Sequence, residues 1–300
     1  MEIINFDSWN VYEGSAEGSG RSEKIWLKSS DGRIGLFKFP KIDPAVNKET
    51  TEHISEHLAY LLGQKLGVAT AKVDIGTYNG RFGSMSYLVC DNEEILREGI
   101  WYISGKYPQY NCDSLMDEKS GEHYCLEHLY GTIPSVIPNH SWIQMLVFDF
   151  LIGNGDRHQS NWAILEKKQD KYVSQVKWCP LYDNGSSLCC YENSLRLEKI
   201  FSNDKNVFKA LVDSKSKSII RISGTDTKNP THREMVRHLL EKYSITKEIA
   251  IDFIDKLPEH EIEFILSDYS DDLLDPQKKK LIHLYLCEKI NILKSLLKEV

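Results

Sequence analysis

Asp156, Arg157, His158 and Asn161 stand together in LIGNGDRHQSNWAILE, residues 151–166, crowded between two apolar runs. Asp156 and Asn161 are five positions apart. That spacing has a use in phosphoryl transfer, where an aspartate orients and deprotonates a hydroxyl nucleophile and an asparagine five residues on offers a neutral oxygen to magnesium. Downstream, KWCPLYDNGSSL runs from an apolar stretch into Asp183 and then Gly185. A second carboxylate at a strand end, followed by a glycine that lets the chain turn away, suits a hard cation bridging phosphates. An isolated Asp-x-His is more often a loop hydrogen-bond network than a catalytic pair. Asn161 and Asp183 shift the balance toward catalysis here. His158, grouped with these catalytic residues, reads as the side chain that orients the loop, because magnesium prefers oxygen ligands.

A site of this kind needs a second half that holds phosphates. EGSAEGSGRSEKIWLK places Gly14, Gly18 and Gly20 ahead of a strand, where glycines let backbone N–H groups approach phosphates closely. Taken alone this signal is weak. In IGLFKFP, Lys38 lies among Leu36, Phe37 and Phe39, and an ammonium there is costly unless paired with phosphate and a carboxylate. Glu56, on the following helix, is the natural partner, with Glu52 one turn earlier as its competitor. The order of glycine-rich loop, strand lysine, helix glutamate, Asp-x4-Asn loop and strand-end aspartate is the physical parts list of a kinase.

The elements that must position these residues are legible in outline. Up to about residue 100, short alternating runs such as KIWLKSS, IGLFKFP and GSMSYLVC predict β-strands. TEHISEHLAYLLGQKLGV predicts a helix between a cap at Thr50 or Thr51 and a stop at Gly67. Ile143, Leu146, Val147, Phe150 and Leu151 form one stripe and predict a core helix leading into the Asp156 loop. From 232 onward the chain reads as amphipathic helices, with the PQKKKL charge run at 276–281 as the solvated start of the last one. Residues 103–138 look least structured. The division expected is an ATP-binding lobe, 1–102, and a helical catalytic lobe, 103–300.

Composition narrows the function classes. The chain has 300 residues, 41% hydrophobic and 27% charged, with a net charge of −7. No global basic field draws it to nucleic acid or an anionic membrane. Seven cysteines without a CxxC pair match neither a disulfide framework nor a zinc site and point to a reducing cytosol. No export signal or membrane span is expected.

GSGRSEK, LFKFP, SEHLAYLLGQKLGV, FDFLIGNGDRHQSNWAIL and PLYDNGSSL together resemble the HipA-like serine/threonine kinases, bacterial proteins that include toxin kinases of toxin–antitoxin modules. The likeness runs from about residue 14 to 190 and is to a compact form without the extra N-terminal subdomain. It implies an α+β, two-lobe protein-kinase-like fold with a β-rich N-terminal lobe and a mainly helical C-terminal lobe. It implies ATP and Mg²⁺ as cofactors, a protein substrate with a serine or threonine acceptor, and an antitoxin partner. A bacterial cytoplasmic location follows, unless the protein is delivered as an effector. By this likeness Asp156 is the catalytic base, Asn161 and Asp183 hold magnesium, and Lys38 and Glu56 form the lysine–glutamate pair. Gly18, Ser19, Gly20 and Lys24 fall at the phosphate loop, where Ser22 replaces the family's glutamine. Backbone groups near Val89 and Cys90 would meet adenine. Ser19 or Ser22 would be an inhibitory autophosphorylation site. A phosphoinositide or small-molecule kinase, since DRHQSN also occurs in phosphoinositide kinases, and a nucleotide-binding pseudokinase remain open as alternatives.

Overall fold

The computed structural model describes residues 1–13, 23–169, 172–202 and 204–300. Its first half is built on a six-stranded sheet ordered β1-β7-β8-β4-β3-β2. The opening strands are β1 (Ile4–Asn5), β2 (Asn10–Val11), β3 (Lys24–Lys28) and β4 (Ile34–Lys38). A small hairpin follows, β5 (Ile42–Asp43) with β6 (Lys48–Glu49), and leads into helix α1 (Glu52–Leu66). β7 (Val73–Tyr78) and β8 (Arg81–Tyr87) complete the sheet, in which only the β1–β7 pair is parallel. Alternation in β4 turns Gly35 and Phe37 inward, and Phe37 joins Phe6, Leu27, Phe39 and Met85 in a small core of its own. Lys38 therefore lies on the opposite face from Phe37, directly across from Lys24 of β3.

Helix α1 ends where the sequence predicts, with Gly67 in the left-handed conformation at φ 73° and its N–H on the carbonyls of Gly63 and Gln64. Thr51 occupies the N-cap position, but its hydroxyl turns to the Cys190 carbonyl at 3.4 Å instead of capping the helix. The apolar face of α1, Ile54, Leu58, Leu62 and Leu66, belongs to the large core of the helical half, so the helix ties the two lobes together.

β9 (Glu94–Glu98) leaves the first sheet and joins another. Beyond it come α2 (Gly99–Lys106), then β10 (Tyr110–Asn111), β11 (Met116–Asp117) and β12 (Glu122–His123) as a three-stranded sheet, and α3 (Leu126–Tyr130). The stretch expected to be least structured is thus ordered, by strands of two residues and by aromatic packing. Tyr110 meets Tyr124 edge-on, and the Tyr124 hydroxyl accepts from Trp162 Nε1 at 2.8 Å.

α4 (Asn139–Ile152) is the central helix. Ten of its fourteen residues are buried, so it is apolar nearly all round and packs against several partners at once. It ends at Gly153, with φ 70°, where an added Cβ would come within 2.1 Å of the Tyr285 hydroxyl. Glycine is required there twice over, by conformation and by space. β13 (Ala163–Gln169) follows the Asp156 loop and pairs on one side with β14 (Tyr172–Trp178) and on the other with β9. The remaining helices are α5 (Ser194–Ile200), α6 (Lys205–Val212), α7 (His232–Lys242), α8 (Ile245–Lys256), α9 (Glu259–Ser267) and α10 (Pro276–Glu299). α7, α8 and α10 pack around α4. Among the described residues no helix is long and apolar enough to cross a membrane, and all seven cysteines are free thiols.

One expectation about the last helix is overturned. Lys278, in the supposedly solvated charge run, is buried, and its ammonium donates to the carbonyls of Cys189 and of Glu192, the latter at 2.6 Å. The loop before α5 presents carbonyls that no helix or strand satisfies, and a buried cation is the donor they find.

Candidate active site

Lys38 and Glu56 meet inside the molecule. The Lys38 ammonium lies 3.5 Å from Glu56 and 2.6 Å from Asp183. Burial works against its charge, but the two carboxylates outweigh that cost and hold the ammonium above its ordinary range. Glu56 is buried and also accepts the backbone N–H of Asn184 at 2.8 Å, so α1 is bound to the segment that follows Asp183. Glu52, the rival partner, instead holds Lys41 at 2.9 Å and the Tyr191 hydroxyl at 2.7 Å.

Asp183 itself takes a left-handed conformation, φ 56°, which an aspartate tolerates better than most residues. The turn after the strand is made by this residue, not by the glycine. Gly185 serves close approach: a Cβ there would lie 3.1 Å from the Glu56 carboxylate. The Asp183 carboxyl is held below the usual range, chiefly by Lys38.

The loop from 153 to 162 hangs on Arg157, a member of the polar cluster to which its sequence position alone assigns no role. Arg157 is buried and donates to Asp149 through Nε at 3.0 Å and Nη2 at 2.7 Å, to the Asn161 carbonyl at 2.7 Å, to the Tyr182 carbonyl at 3.0 Å and to Asn184 Oδ1 at 2.6 Å. One guanidinium thereby joins α4, the Asp156 loop and the Asp183 segment, a task its rigid fork of donors suits. Its counter-ion, Asp149, is the lone carboxylate of α4 and sits among the buried apolar residues of its second half. That was the available signal, since a buried carboxylate demands a partner.

Asn154 extends the scaffold: its Oδ1 accepts the Asp156 N–H at 3.0 Å and its carbonyl meets His232 Nε2 at 3.0 Å. With Nε2 donating to that carbonyl, His232 Nδ1 must accept from the Ser216 hydroxyl at 2.9 Å, and Ser216 in turn accepts from buried Lys289 at 2.8 Å. His158 works locally. Its N–H donates to the Asp156 carbonyl at 2.9 Å and its ring Nδ1 accepts from Ser160 N–H at 3.2 Å.

Burial raises the Asp156 carboxyl above the ordinary range; His158 opposes this and Asp183 adds to it. Among the described residues no donor occupies that carboxylate. Asn161 donates its amide N–H to the Asp156 carbonyl at 2.7 Å, which leaves its amide oxygen without a protein partner there. Two carboxylates close in sequence role are thus pushed in opposite directions, the condition under which one serves as a base and the other as a permanent anion.

A cleft of about 260 Å³ opens over this arrangement. Lys24, Lys38, Val89, Asn161 and Asp183 all line it, between the apolar surfaces of Leu36, Leu88 and Leu96. Trp26 also faces the cleft, and its buried indole N–H has no partner among the described residues. Cys90 lies outside the lining, in a small apolar cluster with Ala163, Leu165 and Cys179. Gly18, Ser19, Gly20 and Ser22 lie outside the described residues.

The HipA-like C-terminal domain family matches residues 16–246. The chain belongs to that family. A curated relative, the serine/threonine-protein kinase CtkA of Helicobacter pylori (strain J99 / ATCC 700824), is 26% identical over 214 residues, covering 68% of this chain and 61% of the relative. The chain therefore spans less than two thirds of that relative's length. Among solved structures, the Helicobacter pylori proinflammatory kinase CtkA superposes with a TM-score of 0.80 at 19% identity, covering 100% of both chains. Shewanella oneidensis MR-1 HipA, solved with HipB and operator DNA, gives 0.56 at 13% identity over 98% of this chain and 67% of that one. The two-lobe, kinase-like α+β fold of the HipA-like proteins is the fold of this chain.

Proposed function

We propose that the chain is an ATP- and Mg²⁺-dependent serine/threonine protein kinase of the HipA-like type. The observation that carries this reading is the opposition, inside one cleft, of two strand lysines to the oxygens of Asp183 and Asn161. Lys24 and Lys38 lie directly across two strands, so a polyphosphate entering the cleft would meet two cations at once. Lys38, held by Glu56, would contact the nucleotide phosphates, and backbone groups beside Val89 and Cys90 would meet the adenine. Asp183 and the Asn161 amide oxygen would hold Mg²⁺, which when bound neutralises charge developing on the transferred phosphoryl group. Asp156 does the proton work. Its carboxylate, without a donor among the described residues, accepts the hydroxyl proton as the new oxygen–phosphorus bond forms and the bond from the γ-phosphorus to the β–γ bridging oxygen breaks. His158 and Arg157 keep that carboxylate in place, which matters because a loose transition state is served chiefly by positioning and charge.

The same reading divides the chain into an ATP-binding lobe, 1–102, and a catalytic lobe, 103–300. It assigns the phosphate loop to Gly18, Ser19 and Gly20, with Ser19 or Ser22 as an autophosphorylation site whose phosphate would repel the nucleotide. Likeness to a HipA solved with HipB as a toxin–antitoxin system supports an antitoxin partner, and a growth-arresting role in the bacterial cytoplasm is the further part of this proposal. Incubation with γ-labelled ATP and Mg²⁺, wild type beside Asp156→Asn, tests the core claim. Label on serine or threonine in the wild type alone is the expected result. Equal labelling of both, or none in either with Mg-ATP bound and a panel of protein extracts supplied, overturns it.

A further inference from the structure

Away from the cleft, α9 and α10 pack together and bring three potential metal donors, Glu259, His283 and Cys287, to one place, with the Glu263 carboxylate reaching the same imidazole nitrogen of His283. Glu259 and Glu263 are one turn apart on α9, and His283 and Cys287 are one turn apart on α10. Donors four residues apart on a helix lie on the same face, as in helical zinc motifs that take two ligands from one helix. His283 Nε2 lies 3.6 Å from Glu259 Oε1, 3.7 Å from Glu263 Oε1 and 3.7 Å from Cys287 Sγ. The ligand atoms of Glu259, His283 and Cys287 all fall within 4.8 Å of one another.

These separations can be set against a tetrahedral zinc site. Bonds of about 2.0 Å to nitrogen or oxygen and about 2.3 Å to sulfur give ligand–ligand edges of roughly 3.3 to 3.5 Å. The three measured edges all meet at His283 Nε2 and need to shorten by a few tenths of an ångström, whereas the remaining edges, with Glu259 to Cys287 at no more than 4.8 Å, close by rotation of glutamate side chains that are well exposed (70% and 63%). An ion pair alone explains the group less well. Two carboxylates and a thiol all converge on the single ring nitrogen Nε2 of His283, which carries at most one proton to share among them. A divalent cation that accepts thiolate, imidazole and carboxylate together accounts for all four, and that mixture of soft and hard donors favours zinc over magnesium or calcium. The cysteine spacing in the sequence gives no sign of such a group, because its members come from two helices and not from a CxxC loop.

We propose that Glu259, Glu263, His283 and Cys287 form a zinc site that clasps α9 to α10. The site is separate from the cleft and does not depend on the kinase reading. Bound metal would stabilise the folded chain by mass action, and it would shield Cys287 from alkylation.

The test uses the full chain stripped with a chelator and titrated with CoCl2, then with ZnCl2 by calorimetry. The proposal expects a thiolate-to-cobalt charge-transfer absorption that Cys287→Ser abolishes and Zn²⁺ displaces. It expects Zn²⁺ affinity to fall tenfold or more in both Cys287→Ser and His283→Gln, with circular dichroism unchanged. Cobalt bound in the cleft would lack a sulfur ligand and show no such band. Should either variant fold poorly, alkylation of the wild type with and without Zn²⁺, followed by peptide mass spectrometry, decides the matter through selective protection of Cys287. A charge-transfer band that survives in Cys287→Ser, wild-type Zn²⁺ affinity in His283→Gln, absence of any sulfur band in the wild type, or unprotected Cys287 at saturating Zn²⁺ overturns it.

Discussion

Arg157→Met is the substitution that most directly probes how the active loop is held. The guanidinium and Asp149 are both buried, and methionine would leave the carboxylate without its cation. Removing one partner of a buried pair costs about 3–5 kcal/mol. Three further acceptors, the carbonyls of Asn161 and Tyr182 and the Asn184 side chain, lose a donor as well. Part of that loss would be made up by water, so a total near 4–6 kcal/mol is expected from the pair and its neighbours together. For a chain of 300 residues the unfolding entropy is about 0.6 kcal/mol/K, so each kcal/mol moves the melting temperature by about 1.6 °C and the expected drop is on the order of 6–10 °C. Burial pushes the Asp149 carboxyl up even with Arg157 and Asn154 opposing it, so the uncompensated anion is the larger part of the cost. Asp149→Leu combined with Arg157→Met removes both charges and should recover at least about half of the loss, giving a coupling of about 3 kcal/mol in a double-mutant cycle. Urea unfolding followed by circular dichroism reads all four corners. A single-variant loss under about 1 kcal/mol, or a double variant no better than the sum of the singles, would refute the idea that this pair organises the loop.

Gly153→Ala should cost more than about 2 kcal/mol, because the left-handed backbone strains alanine and its Cβ meets the Tyr285 hydroxyl; the same change in a Tyr285→Phe background should recover part of that loss in thermal melts. Burial pushes His232 down to about 3, so the stability from its neutral ring is complete above the unfolded value near 6.5 and is lost as pH falls toward 3. His232→Gln should therefore flatten the acid side of the stability curve by up to about 1.4 kcal/mol per pH unit relative to wild type, and parallel curves would refute this. Asp183→Asn should weaken Mg-ATP binding at least tenfold in calorimetry, whereas Asp156→Asn should bind it like wild type and fail to transfer phosphate; equal loss of affinity in both would contradict the roles assigned here.

What could be read from the sequence was chemistry carried by side-chain identity. Lys38, Glu56, Asp156, Asn161 and Asp183 stand out because few structural roles need those types in that order, and the helix end at Gly67 because glycine marks a left-handed turn. What could not be read was chemistry carried by the backbone. Arg157 and Lys278 take their importance from carbonyls of Asn161, Tyr182, Cys189 and Glu192, which any residues at those positions would supply. Residues 103–138 escaped for another reason: strands of two residues are too short to show a period. The group on α9 and α10 exists only because two distant helices pack together.

The contact between Lys38 and Asp183 has a consequence for what can enter the cleft. Each group already satisfies the other, so an incoming ligand exchanges one ion pair for another and does not simply add a new one. A free nucleotide would take Lys38 and leave Asp183 facing more negative charge. A free cation would take Asp183 and strand Lys38 between Glu56 and its neighbour Lys24. Only a ligand bearing both signs at the right separation replaces both halves at once. On the proposed reading, the resting ion pair is a filter that admits metal-loaded nucleotide and discriminates against either component alone.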